Sequence, residues 1–438
     1  MPAVPLGIGS YKRADGLVPE VVLKNLYLEK DKSGISPDQT LRIQRPGLAP
    51  LADMYAQIRG LHFRTSTGER LSVAGAALVS GTTSKGVIQG TGRAALVSTP
   101  FVTLIAADGV AYLYDTAVAA LAVPNDAPSG GYVQDVDQLN GYGIVLLPNG
   151  RFYWLVPGET ALDALNFATA ESLPDKAVAV RRLGDEFWIF GTQNVEVWQA
   201  TGDQDAPFQR ASGRNFERGC IGRDAVRRFD NTLVWIGDDF QVYRASSVPQ
   251  VISDPGISER IRKATGDCSA WVYGLDGHSF YVLTIPGQGA FAYDASTQAW
   301  SEYTWPVAFG YQEAGAIIAG SAIDGRLWNV DANATTDDGA AFERVITGTI
   351  PAFGKTFRND SVSIGVGASA DTTVRLRWKG GQDDYPAYYD EIDVRAPFDV
   401  AQMWRLGTPD QPYRTFEISI IAPERVRIAG FMANEGWA

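Results

Sequence analysis

Short apolar runs alternate with tight polar turns through most of this chain. Seven turns, at Gly68, Gly109, Gly150, Asn194, Asp239, Gly289 and Gly325, lie 36 to 50 residues apart. Each follows an apolar run (61–63, 102–105, 143–147, 187–190, 233–236, 280–283 and 316–318) and precedes a second run, rich in aromatics in most copies. Gly, Asn and Asp tolerate the positive φ of two-residue hairpin turns. β-branched and aromatic residues suit a pleated, half-buried surface. A strand-built period near forty residues predicts a β-propeller of about seven blades.

A longer echo supports the phasing. Val180-Arg181-Arg182-Leu183-Gly184-Asp185 leads into an apolar strand, and Val226-Arg227-Arg228-Phe229-Asp230-Asn231 leads into another. Weaker copies start at Val136 and Val272. Paired arginines suit phosphate binding, but recurrence at one point of an alternating strand predicts blade-edge salt bridges instead.

The pattern divides the chain in three. Residues 1–50 are proline-punctuated and irregular, with one alternating strand at 21–28 that is a candidate to close the last blade. Pro46-Gly47 reads as a type II turn. Residues 51–335 form the propeller, interrupted by a helix predicted from Ile257, with Pro255 before it and Gly266 after it. The polar stretch from Asp331 to Gly339 marks a boundary. Residues 336–438 keep strand alternation but lose the period, predicting a C-terminal β-sandwich.

Composition narrows the function. The 438 residues carry a net charge of −12, which disfavours a general nucleic-acid binder because phosphate binding needs a basic face. An acidic wall suits DNA in transit better than DNA captured. The two cysteines, Cys220 and Cys268, read as free thiols of a chain folded in a reducing cytoplasm. No signal peptide and no membrane-spanning run is predicted.

Catalytic material is scarce. Histidine occurs only at His62 and His278, both expected as packing or turn residues, so a Ser-His-Asp machine or histidine metal site has little to draw on. Carboxylate pairs on a propeller can cleave glycosides. The nearest sialidase-type turn, Ser321 through Asp324-Gly325 to Trp328, is single and mis-spaced. The acidic stretches Asp135-Val-Asp137-Gln-Leu-Asn140-Gly141 and 331–338 lack the order of a calcium loop and read as solvated turns. Tyr293-Asp294 through Trp300 is a kelch-like blade element. Tyr388, Tyr389 and Trp404 are candidates for interface anchors or sandwich core. No catalytic, cofactor-binding or metal-binding residue is assigned.

The order of features resembles the packaged-DNA stabilisation, or tail hub (nozzle), proteins of short-tailed bacteriophages. The stretches that carry it are Asn25-Leu-Tyr-Leu-Glu29, Arg45-Pro-Gly-Leu48, the run from Phe187 to Trp198, Gly219-Cys-Ile-Gly222, the run from Ile257 to Arg262, the run from His278 to Pro286, Ala292-Tyr-Asp-Ala295, Trp404-Arg-Leu-Gly407 and Arg425 to Gly430. The resemblance implies a non-enzymatic virion protein of the tail, made in the host cytoplasm. It implies a ring, usually a homohexamer, beneath the portal and head-to-tail adaptor. Such a ring prolongs the DNA channel, retains packaged DNA that passes non-specifically through its lumen, and gives docking surface to fibres, spikes or a distal plug. It implies no cofactor and no membrane insertion. The alternative from the residues alone is a carbohydrate-binding or glycoside-cleaving propeller. On the ring reading, the helix near 257–265 is the best insertion for a contact between subunits.

Overall fold

The computed structural model describes residues 6–12, 19–124, 127–170, 175–321, 323–351, 357–381, 383–387, 389–407 and 413–437. Five four-stranded antiparallel meanders follow one another along the chain, at 58–87, 94–120, 135–169, 177–216 and 227–251. A sixth starts with Ser269–Leu275 and a seventh with Val307–Glu313. The first strand of each blade packs on the first strand of the next, and Val307–Glu313 returns to Ile58–Arg64. The body is a closed ring of seven blades. This is the β-propeller that the period predicts.

Aromatic layers between blades hold the ring together. Phe152 of blade 3 meets Phe187 and Trp198 of blade 4 edge to face, with centroids 5.2 and 5.0 Å apart. Trp188 and Phe190 of blade 4 lie in one buried cluster with Trp235 of blade 5. Edge-to-face geometry adds about 0.5–1.5 kcal/mol per pair beyond simple burial.

Six of the seven turns join the second and third strands of their blades; Gly68 joins the first and second. The equivalent turn of blade 1 is at Gly75 (φ 54°), and the strand after it, Ala77–Ser80, has no aromatic residue to advertise it. The longer echo marks something else: the innermost strand and first hairpin of blades 3 to 6. Asn140-Gly141, Asp230-Asn231 and Asp276-Gly277 all hold positive φ there.

The ring closes with a strand from the N-terminal region. Gly47–Asp53 pairs antiparallel with Arg326–Asp331 as the outer strand of blade 7. The alternating run at 21–28 is not that strand. It breaks at Asn25 (φ 57°) into Leu23–Lys24 and Leu26–Lys30, which enter different sheets. Gly47 does not hold the positive φ of a type II turn; it begins a strand. A Cβ there would lie 2.4 Å from the Thr336 carbonyl oxygen, so close passage of two backbones demands the glycine.

Two further sheets pack face to face. One contains Glu343–Pro351, Tyr413–Ile421, Thr372–Gly380 and Asp390–Val394; the other contains Val426–Trp437, Phe357–Ala368 and Phe398–Gly407. Their facing residues, among them Ile346, Ile364, Leu376, Phe416 and Phe431, are buried in one core. The C-terminal sequence does not build this sandwich alone. Leu23–Lys24 pairs with Glu343–Pro351, and Thr40–Gln44 pairs with Val426–Trp437. Leu23, Leu26 and Leu28 belong to the sandwich core. Leu23–Lys24 also lies parallel to Ala299–Tyr303, so one nine-stranded sheet runs from blade 6 into the sandwich.

Candidate functional site

Two regions concentrate buried charge: the join between propeller and sandwich, and the axis of the ring.

The join is organised by Arg45 and Asn25. Arg45 is wholly buried, donates from Nε to Asn25 Oδ1 (2.7 Å), and grips Asp337 with both terminal nitrogens (2.9 and 2.5 Å). Its guanidinium lies 4.0 Å from the Phe342 ring and 5.0 Å from that of Trp305. Asn25 donates to Thr304 Oγ1 and the Glu343 carbonyl, and accepts from the Thr304 amide. Next to them Arg344 donates to Gln44 Oε1 (2.7 Å) and the Ala422 carbonyl (2.6 Å). Burial, with Arg45 nearby, lowers the Arg344 pKa to about 10. A planar guanidinium suits such sites because its fork satisfies several acceptors at once while its face stacks on rings. Residues from four distant parts of the chain thus fix one domain on the other.

The axis is lined by the innermost strands, which have a paired neighbour on one side only. Their free backbone groups are satisfied by charged side chains. Asp135 accepts from the Val180 amide (3.0 Å), and Asp137 accepts from the amides of Arg182 (2.8 Å) and Gln138 (2.7 Å). Arg181 pairs with Asp135 and donates to the carbonyls of Val226 and Arg223. Arg223 donates to the carbonyls of Gln134 and Arg93, and Arg93 to that of Ala308. The half-open space beside them is about 220 Å³. That is room for a handful of waters, each needing about 30 Å³ of liquid volume. A DNA duplex, whose major groove alone is about 12 Å wide, does not pass through it.

The first arginine of each pair in the sequence echo, Arg181 and Arg227, therefore lines the bore, at the inner edge of its blade. Arg181 makes an ion pair there; Arg227 makes none among the described residues, and Arg228 is exposed. The Asp135–Asn140 stretch is no solvated turn. Its carboxylates cap inner-strand amides, and burial pushes the Asp137 carboxyl up. In the second acidic stretch Asp331 accepts from the Asn333 amide, Asp337 holds Arg45 and Asp338 pairs with Arg326. No group of three metal-ligating side chains occurs among the described residues.

The other candidates are scaffold. His62 Nε2 lies 2.8 Å from Ser98 Oγ, and burial with Arg64 nearby pushes its pKa down to about 4. His278 Nδ1 lies 2.8 Å from Asp294 Oδ2, a hydrogen bond that raises its pKa, and the ring packs on Phe280 and Tyr27. The Cys220 and Cys268 thiols are buried and pushed up to about 12 and 11. Ser321 Oγ and Asp324 are occupied by turn amides and Arg326, which leaves the sialidase-like turn no free acid. Trp300 donates to the Ile252 carbonyl as blade scaffold. The helix Pro255–Arg262, capped by Asp254, buries Ile257 and Ile261 between blades 5 and 6. Trp404 is exposed on the edge strand Phe398–Gly407, Tyr389 donates to Glu417, and Tyr388 lies outside the described residues. No helix among the described residues is long and apolar enough to cross a membrane.

The sequence matches the family model described as "Bacteriophage P22 Gp10, beta-propeller" over residues 2–316. No curated protein matches it. Among solved structures, it is similar to BBS1N in complex with ARL6DN (13% identity, TM-score 0.43, covering 67% of this chain and 99% of that one). The RRP9 WD40 repeats give 11% identity and TM-score 0.42, covering 66% and 99%. The extracellular domain of the one-component system BT4673 from B. thetaiotaomicron gives 8% and 0.45, covering 90% and 66%. No inference rests on likenesses at this level.

Proposed function

This chain belongs to the bacteriophage stabilisation β-propeller family and is a phage structural protein, a component of the virion; from that premise we propose that it is a non-enzymatic tail hub. In this reading it assembles as a ring, six copies being the expected number, beneath the portal and its adaptor. The ring extends the DNA channel and holds the packaged genome until ejection, and it offers docking surface to fibres, spikes or a distal plug.

The family match across residues 2–316 carries the reading. The architecture supports it physically. A bore of about 220 Å³ makes each propeller a solid wall segment, so DNA would travel along the axis of the assembled ring. A wall holding pressurised DNA must resist deformation, and a ring of sheets locked to a sandwich by buried arginines does so better than loops. The net charge of −12 suits passage without adhesion.

Native mass measurement of the purified chain, alone and with its adaptor, tests assembly; particles made without the chain test retention. The expected results are a discrete ring with adaptor present and particles that lose their DNA. A monomer under both conditions, with particles that keep their genome, would overturn the proposal.

A further inference from the structure

The bore has more cation than its carboxylates neutralise. Four arginines, Arg93, Arg181, Arg223 and Arg227, gather there with three aspartates, Asp135, Asp137 and Asp224. Asp135 is taken by Arg181. Asp224 lies 3.7 Å from both Arg93 and Arg223, and despite the upward push of burial these arginines hold its carboxyl below the usual range. Asp137 spends its oxygens on two backbone amides.

Arg227 is the cation left over. One Nη donates to the carbonyl of its own neighbour, Val226, at 2.7 Å, and no carboxylate comes within ion-pair distance among the described residues. The side chain is half-buried and lines the pocket at the axis. Burial and Arg181 bring its pKa down to about 10 against the opposing pull of Asp224, so it remains charged at neutral pH. Its remaining N–H groups line a polar pocket beside two further arginines, where a tetrahedral anion can replace the water that otherwise satisfies them.

We propose that the propeller bore binds one small inorganic oxyanion, of the phosphate or sulfate class, at Arg227 with Arg93 and Arg181. These side chains come from blades 2, 4 and 5, so one tetrahedral anion ties three sectors of the ring across its axis. Guanidinium forks match tetrahedral oxyanions with paired N–H···O bonds. The bound anion is a structural pin that stiffens the wall segment. The inference stands apart from the tail-hub reading, since a propeller of any role would use it in the same way.

Thermal melting of the full chain tests it, with sodium phosphate or sodium sulfate titrated against sodium chloride at matched ionic strength. The expected result is a saturable rise of a few degrees with either oxyanion and not with chloride. Arg227→Gln should lose that rise, while Arg228→Gln, next door and exposed, should keep it. An equal rise in chloride, or a rise that survives Arg227→Gln, overturns the proposal. Should Arg227→Gln fail to fold, equilibrium dialysis of the unaltered chain against radiolabelled phosphate decides: one phosphate per chain, displaced by sulfate, upholds it, and no bound phosphate refutes it.

Discussion

Blades 2 to 5 and the pair formed by blade 7 and the sandwich solve one problem in opposite ways. Each must bury sheet faces and leave no raw edge. Blades 2 to 5 do it with strands adjacent in sequence and apolar layers between sectors, aromatic between blades 3, 4 and 5. Blade 7 and the sandwich borrow strands from the first fifty residues, and their contacts run through buried arginines. The first plan is local, repetitive and apolar. The second is long-range and unique, and adds buried arginines to its apolar cores. The lesson is that ring stiffness and domain attachment are separable properties of this chain.

Removing the borrowed strands' partners should have the largest effect. A chain ending after Asp338 loses the sandwich sheets and bares Leu23, Leu26 and Leu28. Sedimentation after expression should find it insoluble; a soluble product melting near the full chain would mean that the propeller is independent and would break the contrast. Next come Trp188→Ala and Trp235→Ala, each wholly buried between blades 4 and 5. Chemical denaturation should show a loss of about 3–5 kcal/mol from each.

Arg45→Met probes the join. It abandons Asp337 and Asn25 in a closed site and should cost about 3 kcal/mol, the low end for breaking a buried pair, because Asp337 keeps some contact with water. Protease should then cut near the join before the blades open, whereas the tryptophan variants should lose both together. The smallest effect is in pH, and its sign differs between the two histidines. His62, with its folded pKa depressed to about 4, should weaken the fold as pH falls from about 6.5 towards 4. His278, with a folded pKa raised by Asp294, contributes stability below about pH 6.5 that is lost as pH rises through the folded value. Melting curves of His62→Gln and His278→Gln should each flatten one limb, and identical limbs would void the assignment.

The same contrast explains what was legible in the sequence. Turn residues and aromatic runs are local signals, so the seven-bladed ring could be read, with blade 1 displaced by one hairpin because Ala77–Ser80 lacks aromatics. The helix was legible for the same reason, although it starts at Pro255 and not at Ile257. The Gly47–Asp53 closure was not, since its partner lies far along the chain and Pro46-Gly47 looks like a turn in isolation. Arg181 and Arg227 were found by repetition, and Arg181 makes the expected blade-edge salt bridge; that the edge is the inner one was not legible, because alternation tells which residues share a face, not which face looks down the axis. Asn25 and Arg45 stood out only within short family-like stretches, and their roles depend on Asp337, Thr304 and Glu343, which no local pattern connects to them.

The seam at Gly47–Asp53 also sets an order of events during synthesis. Its hydrogen-bonding mate, Arg326–Asp331, emerges from the ribosome nearly three hundred residues later. At about 5–20 residues per second, the early strand waits on the order of tens of seconds while blades 1 to 6 are made. The nascent chain is therefore an open fan for most of its birth, and its last act of closure joins its youngest blade to one of its oldest strands.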